Sequence, residues 1–180
     1  MTSLISPSER IILALDGMDV TETIALMKKI PKLRWVKVGL ELFLRGGPDF
    51  LSYLRDQNKR IFLDLKFHDI PNTMANACRQ AARSGAELIT VHACSGSKAL
   101  LAANKAAVEG AAELNLAPPV VLAVTVLTSW GTNDLSNELS FQGTINQRVK
   151  LMADLAFNSG IGGCICSPLE VAELRKNYPE

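Results

Sequence analysis

The sequence predicts an α/β protein with a parallel sheet covered by helices, and three observations lead to this prediction. Short apolar runs rich in β-branched residues recur six times, and segments with helical periodicity lie between them. Some runs, such as Val120–Val124, are apolar throughout, which is typical of strands covered on both faces. Strict alternation of strands and helices favours a parallel sheet with right-handed crossovers. We therefore predict a TIM (β/α)8 barrel, of which about six βα units are present.

The predicted elements follow one another along the whole chain. Strands are expected at Ile11–Leu15, Trp35–Val38, Ile61–Leu65, Leu88–Val91, Val120–Val126 and Ile161–Cys166, and helices at Thr21–Ile30, Pro48–Gln57, Asn72–Ser84, Lys98–Leu114, Asn146–Asn158 and Pro168–Lys176.

Local signals fix several of these boundaries. Asp19 followed by Glu22, and Ser167 followed by Glu170, have the spacing at which side chains cap the first free N–H groups of a helix. The pair at 46–47, Gly-Gly, predicts a turn before a helix that opens at Pro48. The longest irregular connection, Thr128–Gln142, follows the carboxyl end of a strand. An active-site loop and a tolerated surface insertion are both open interpretations of it.

Composition indicates one globular domain over residues 1–180. The 180 residues are 48% hydrophobic and 21% charged, with a net charge of +1 and no basic stripe or acidic tail. We therefore expect a small-molecule partner and neither nucleic acid nor membrane. The first ten residues lack a secretion signal, and no apolar run approaches the ~20 residues that span a bilayer. A cytoplasmic location with reduced cysteines is expected.

Charged residues collect where the predicted strands end, which is where α/β barrels keep their active sites. Asp16 follows the first strand, Lys37 lies on the second, and Asp64, Lys66 and Asp69 lie on and after the third. An isolated Asp in such a place is usually a turn or cap residue, but recurrence at three strand ends favours a functional site. Asp64 and Lys66 are two apart on an extended run, so both side chains should leave one face.

Two interpretations of these charges remain open. One is a structural buried ion pair, in which each charge is tolerable only beside the other. The other is an array that holds an ammonium group protonated and aimed at an atom that becomes negative during reaction. The two histidines, His68 and His92, and the four cysteines have no metal-ligand spacing, and no glycine-rich nucleotide fingerprint is present. No metal and no cofactor are expected.

Five segments carry a resemblance to a known family. The run at 64–73, Asp-Leu-Lys-Phe-His-Asp-Ile-Pro-Asn-Thr, together with the segments at 14–16, 36–43, 91–93 and 123–129, resembles the orotidine 5′-monophosphate decarboxylases. The resemblance implies removal of carbon dioxide from orotidine 5′-monophosphate to give uridine 5′-monophosphate, in pyrimidine biosynthesis, without cofactor or metal.

The same resemblance implies roles for particular residues. Lys66 would donate the proton to the carbon that loses the carboxylate, while Lys37, Asp64 and Asp69 complete an alternating charge array. Asp69 would reach the site of a neighbouring subunit, which implies a homodimer. The remaining substrate contacts implied by similarity are Asp16, Lys37 and Thr73 at the ribose, Thr128 at the pyrimidine ring and Ile70 beside the base.

The length and the alternative functions complete the expectations. A (β/α)8 barrel takes roughly 250 residues, so we expect this single domain to lack its last two βα units, in which the family carries its phosphate-binding residues. A related phosphosugar decarboxylase or synthase on the same barrel, or an aldolase with a Schiff base on Lys66, would use similar residues. A non-catalytic truncated fragment is the alternative from a different functional class.

Overall fold

A computed structural model of the protein describes residues 7–179. One six-stranded sheet has its strands in the order β1-β2-β3-β4-β5-β6, with parallel pairing of β1 to β2, β2 to β3 and β5 to β6. The strands are β1 (Ile12–Ala14), β2 (Trp35–Gly39), β3 (Arg60–Phe67), β4 (Leu88–His92), β5 (Val120–Val124) and β6 (Gly163–Ile165).

Helices occupy the connections between successive strands. They are α1 (Val20–Lys29), α2 (Leu40–Asp56), α3 (Pro71–Arg83), α4 (Ser97–Ala112), α5 (Thr132–Asn137), α6 (Ile145–Asn158) and α7 (Val171–Asn177), with short 3-10 turns at Pro7–Arg10 and Ala93–Ser95. Sequential strand order with a helix after each strand is the topology of a (β/α)8 barrel. The predicted fold class is confirmed, with six βα units present.

Several predicted boundaries differ from those of the structure. Helix α2 begins at Leu40, directly after β2, earlier than the predicted helix. The predicted break before Pro48 is present, because Gly47 has a non-helical φ of 60° and ψ of −165° and separates two helical segments of α2. The Thr128–Gln142 connection contains α5, so it is not irregular throughout. Helix α7 begins at Val171, three residues later than predicted. The Ser167 N–H does donate to Oε2 of Glu170 at 2.8 Å, but Glu170 is the N-cap of α7 and has no side-chain capping hydrogen bond, so the predicted cap at Ser167 was wrong.

The described residues form two compact units. The first comprises residues 7–65, 78–89 and 107–119, and the second comprises 66–77, 90–106 and 120–179. Fully buried apolar side chains fill each unit: Leu15, Val36, Val38, Leu42, Leu54, Ile61 and Leu63 in the first, and Met74, Val91, Leu100, Ala123 and Leu135 in the second. In β2, Val36 and Val38 are completely buried and flank Lys37, so alternation along the strand turns the lysine to the opposite face.

Helix α1 starts at the capping box that the sequence predicts. The Glu22 N–H donates to Oδ1 of Asp19 at 2.8 Å, and the Asp19 N–H donates to Oε2 of Glu22 at 2.9 Å. These two bonds satisfy N–H groups that the first turn of a helix leaves free. Within the part of the chain that the structure describes, no helix is both long and apolar enough to cross a membrane.

One buried hydroxyl in α1 generates a prediction about stability. The Thr23 side chain is completely buried, and its Oγ1 has no hydrogen-bond partner among residues 7–179. A buried polar group without a partner loses its hydration without compensation. Thr23→Val, which replaces the hydroxyl with a methyl of similar size, should therefore raise the free energy of unfolding by roughly 1 kcal/mol in denaturant titrations. Thr23→Ser, which keeps the hydroxyl and loses the methyl, should lower it. A less stable Thr23→Val protein would show that the hydroxyl has a partner.

Candidate active site

In the first unit, an ammonium group lies between two carboxylates. Lys37 of β2 has a side chain that is 20% exposed, and its Nζ donates to Oδ2 of Asp16 at 2.8 Å and to Oδ1 at 3.1 Å. The register explains the contact, because Ala14 of β1 is the partner of Lys37 and Asp16 follows two residues later. Consecutive parallel strands therefore bring these two charges to the same edge of the sheet.

The second carboxylate comes from β3. Oδ2 of Asp64 lies 3.2 Å from the Lys37 Nζ, and the Asp64 side chain is only 11% exposed, against 60% for Asp16. The β2–β3 register pairs Gly39 with Asp64, so the aspartate lies two positions beyond the partner of Lys37 along its strand. The cluster thus has a buried carboxylate on one side of the ammonium and a solvent-facing carboxylate on the other.

These contacts fix the protonation state of Lys37. Burial alone would lower the pKa of the lysine, but the hydrogen bonds and negative charges of Asp16 and Asp64 outweigh it and hold the pKa above its ordinary value of 10.5. Because the folded-state pKa lies above the unfolded one, the stabilisation is fully present at neutral pH. It is lost only as the pH rises through that higher folded-state pKa. Lys37 is therefore a permanent cation in the physiological range.

Gly39, the residue at the end of β2, makes room for this cluster. A Cβ built on Gly39 would lie 2.5 Å from Oδ1 of Asp16 and 3.7 Å from Nζ of Lys37. The φ of Gly39 is −87°, which any residue adopts, so the need for glycine is a need for space. Sequence reasoning did not single out Gly39. Its place directly after Val-Lys-Val was the available signal.

In the second unit, Lys66 has an unusual backbone. It lies inside β3 and yet has a φ of +50°, a left-handed conformation that is rare for residues other than glycine. Its N–H donates to Oγ1 of Thr90 on β4 at 2.9 Å, and Thr90 is completely buried. The expectation that Asp64 and Lys66 share a face assumed regular alternation along β3. The positive φ interrupts that alternation, so the argument does not apply and their proximity stays a prediction.

The other predicted site residues lie in exposed segments of the same unit. Asp69 follows β3, and its Oδ1 accepts a hydrogen bond from the N–H of Ile70 at 2.7 Å. Ile70 is 67% exposed, and Thr73 is an exposed residue in the first turn of α3. Thr128 is exposed in the turn after β5. Their roles stay predictions.

The two histidines form a ring contact that the sequence did not predict. The imidazole of His68, after β3, lies 5.5 Å from that of His92, at the end of β4, with the planes tilted by 48°. Nothing in their spacing of 24 residues indicates the contact, which depends on β3 and β4 being neighbours. Within residues 7–179, no group of three or more His, Cys, Asp or Glu side chains is arranged to hold a metal ion.

Comparisons with known proteins give these features a context. The model of the family described as "Orotidine 5'-phosphate decarboxylase / HUMPS family" matches residues 9–180. A protein of Prochlorococcus marinus named orotidine 5'-phosphate decarboxylase is 59% identical over 180 residues, which cover 100% of this chain and 75% of that protein. A protein of Parasynechococcus marenigrum with the same name is 59% identical over 174 residues, which cover 97% of this chain and 71% of that protein.

A solved structure is similar over the same span. The crystal structure of orotidine 5'-phosphate decarboxylase from Lactobacillus acidophilus has a TM-score of 0.86 and 38% sequence identity. The similarity covers 93% of this chain and 75% of that one. The β–α alternation predicted from the sequence is therefore shared with a solved relative.

The space at Gly39 can be tested by a double-mutant cycle. Gly39→Ala should lower the free energy of unfolding by roughly 1–2 kcal/mol, because the new methyl displaces the Asp16 carboxylate from Lys37. In an Asp16→Ala background the same change should cost less than about 0.5 kcal/mol, since the clash is gone. Denaturant unfolding of the four proteins measures both values.

Gly131→Ala provides the matched control. Gly131 also precedes a helix with a φ of −90°, but a Cβ there would lie 3.2 Å from the nearest carboxylate oxygen, that of Asp134. Gly131→Ala should therefore lower the free energy of unfolding only slightly. If Gly39→Ala lowered the free energy of unfolding equally in the native and Asp16→Ala backgrounds, the methyl would disturb something other than the ion pair.

Proposed function

This chain belongs to the orotidine 5'-phosphate decarboxylase / HUMPS family, and on that premise we propose that it removes carbon dioxide from orotidine 5′-monophosphate to give uridine 5′-monophosphate. The observation that carries the proposal is the Asp16–Lys37–Asp64 ion cluster, in which Lys37 lies within β2, Asp64 within β3 and Asp16 two residues after β1. Fixed charges of this kind are what a decarboxylation needs when the substrate has no electron sink of its own.

The proposed reaction leaves an electron pair on the ring carbon when the bond to the carboxylate breaks and carbon dioxide departs. The ammonium of Lys66 donates a proton to that carbon to form the new C–H bond, and the neutral amine then takes a proton from water. Lys66 is two residues beyond Asp64 on the same strand, and this proximity along the chain supports its assignment to the same site.

Lys37 has an electrostatic role in this proposal. Its raised pKa keeps it cationic, so that it does not supply the neutral amine that a Schiff base requires. Asp64 lies 3.2 Å from its Nζ and, with Asp69, completes the proposed array of alternating charges. Substrate contacts are assigned to Asp16, Lys37 and Thr73 at the ribose, Thr128 at the pyrimidine ring and Ile70 beside the base.

We further propose that the 180 residues supply the first six βα units of a single (β/α)8 barrel domain. The six units and the 75% of the Prochlorococcus marinus relative that the chain covers correspond to six units of eight. Remote phosphate contacts lower the barrier at the reacting carbon as well as aiding capture, so residues of the last two units would contribute to turnover. A substrate carrying a phosphate does not readily cross membranes, which supports the cytoplasm as the proposed location.

An orotidine 5′-monophosphate decarboxylation assay tests the activity and the assignment of Lys66. The assay uses this chain and a version extended past Glu180 with the last quarter of the Prochlorococcus marinus relative. We expect turnover at least in the extended form, and Lys66→Ala should lower it by roughly 10²–10⁴-fold, the usual contribution of a general acid.

Lys150→Ala is the matched control for Lys66→Ala. Lys150 pairs with Asp154 on the surface of α6 at 2.7 Å, so its removal should leave turnover within about twofold of the parent. Near-normal turnover by Lys66→Ala would refute the proton donor. Trapping of a carbonyl substrate by borohydride, with no decarboxylation in either form, would favour the aldolase. A chain without any activity, extended or not, would favour the non-catalytic alternative.

The homodimer is proposed together with an exchange of Asp69 between subunits. If Asp69 acts in the partner's site, a mixed dimer of Lys66→Ala and Asp69→Ala subunits contains one site with both native residues. Random mixing of these two impaired proteins should then restore about a quarter of the native turnover. Turnover measured after mixing and re-equilibration, alongside size-exclusion chromatography, gives the result. If the subunits exchange and turnover does not recover, Asp69 acts in the site of its own chain.

A further inference from the structure

Thr90 is a buried polar residue that the reaction described above does not use. It lies in the middle of β4, between the buried residues Ile89 and Val91, and its own side chain is completely buried. Its Oγ1 accepts a hydrogen bond of 2.9 Å from the N–H of Lys66. A parallel ladder joins strands through backbone groups, so a side-chain hydroxyl that accepts from a backbone N–H is a local exception to it.

The exception coincides with the left-handed backbone of Lys66. A φ of +50° in a strand is unfavourable for a residue with a Cβ, and such a conformation persists only where the surroundings hold it. A left-handed residue does not follow the regular alternation of a strand, so alternation along β3 does not set the direction of the Lys66 side chain. The backbone conformation of Lys66 therefore decides where its ammonium group points.

We propose that Thr90 is a positioning residue, whose hydroxyl holds Lys66 in the left-handed conformation and thereby directs its ε-ammonium. The role of that ammonium as proton donor rests on the proposed function. Catalytic geometry is sensitive, since a displacement of about 1 Å at a reacting group can cost about 10²-fold in rate. A hydroxyl in a rigid, buried strand is well suited to fix the backbone of a long and otherwise mobile side chain.

A purely structural role for Thr90 makes different predictions. If the residue only fills space in the core, its γ-methyl and its volume matter, and valine is the better replacement because it keeps both. If the hydroxyl holds Lys66, serine is the better replacement, because it keeps the acceptor and loses only the methyl. The pair of variants Thr90→Val and Thr90→Ser therefore separates the two roles.

The experiment measures hydrogen exchange at the Lys66 amide and steady-state decarboxylation in native protein, Thr90→Val, Thr90→Ser and Thr23→Val. Thr90→Val should speed exchange of the Lys66 amide by at least about tenfold, because the N–H loses its acceptor. It should also lower kcat by roughly 10–100-fold while KM changes by less than about threefold, as expected for loss of alignment in the transition state. Thr90→Ser should remain within about threefold of native protein in both measurements.

Thr23→Val is the control for loss of a buried hydroxyl away from Lys66. It should leave kcat unchanged and should not speed exchange of this amide, because its expected effect on the free energy of unfolding is stabilising. Native exchange at Lys66 in folded Thr90→Val would overturn the proposal. An equal loss of kcat in Thr90→Ser and Thr90→Val would also overturn it, because the methyl would then be the important group.

The exchange measurement keeps this proposal separate from the proposed function. If native protein and its extended form both fail to decarboxylate the substrate, the proposed function fails. Fast exchange at Lys66 in Thr90→Val, with native exchange in Thr90→Ser, would then still establish Thr90 as the residue that positions Lys66. Unchanged exchange in Thr90→Val would reject the positioning role whatever the activity.

Discussion

The ammonium of Lys37 between the carboxylates of Asp16 and Asp64 is the interaction on which the proposed chemistry depends. At an effective dielectric near 20, opposite charges about 4 Å apart attract by roughly 4 kcal/mol, enough to offset part of the cost of burying a lysine. The attraction requires the register in which Ala14 of β1 pairs with Lys37 and Gly39 of β2 pairs with Asp64. The strand register therefore determines whether the three charges lie close together. A shift of one residue along any of these strands would turn its charge to the other face.

The same cluster explains how a protein can prepare a charged site without a bound cofactor. Asp64 is nearly buried while Asp16 faces solvent, so the ammonium is held from both sides but remains at the end of the sheet. Gly39 keeps the space that this arrangement needs, and its loss would act through crowding. Charges that are fixed before the substrate arrives need no reorganisation during the reaction, which is the physical basis of electrostatic preorganisation.

Much of the fold was predictable because it depends on local patterns. Continuous apolar runs identified the six strands, and the capping box at Asp19 and Glu22 located the start of α1. The pair Gly46 and Gly47 correctly indicated a break before Pro48, where Gly47 is non-helical, but the helical segment that begins at Leu40 on the other side of the break was missed. The left-handed φ of Lys66 has no local signal, because lysine does not favour that conformation. It accompanies a hydrogen bond from the Lys66 N–H to the hydroxyl of Thr90, 24 positions away in the sequence and on another strand.

The lengths of the outermost strands have a consequence for behaviour at high protein concentration. In the part of the chain that the structure describes, β1 and β6 lie at the two edges of the sheet, and each contains only three residues. An edge recruits foreign chains through its unpaired N–H and C=O groups, and aggregating segments are typically six or seven residues long. In the described residues each three-residue edge therefore offers few backbone groups to an incoming strand, and in the proposed complete barrel these groups pair with the strands of the last two units.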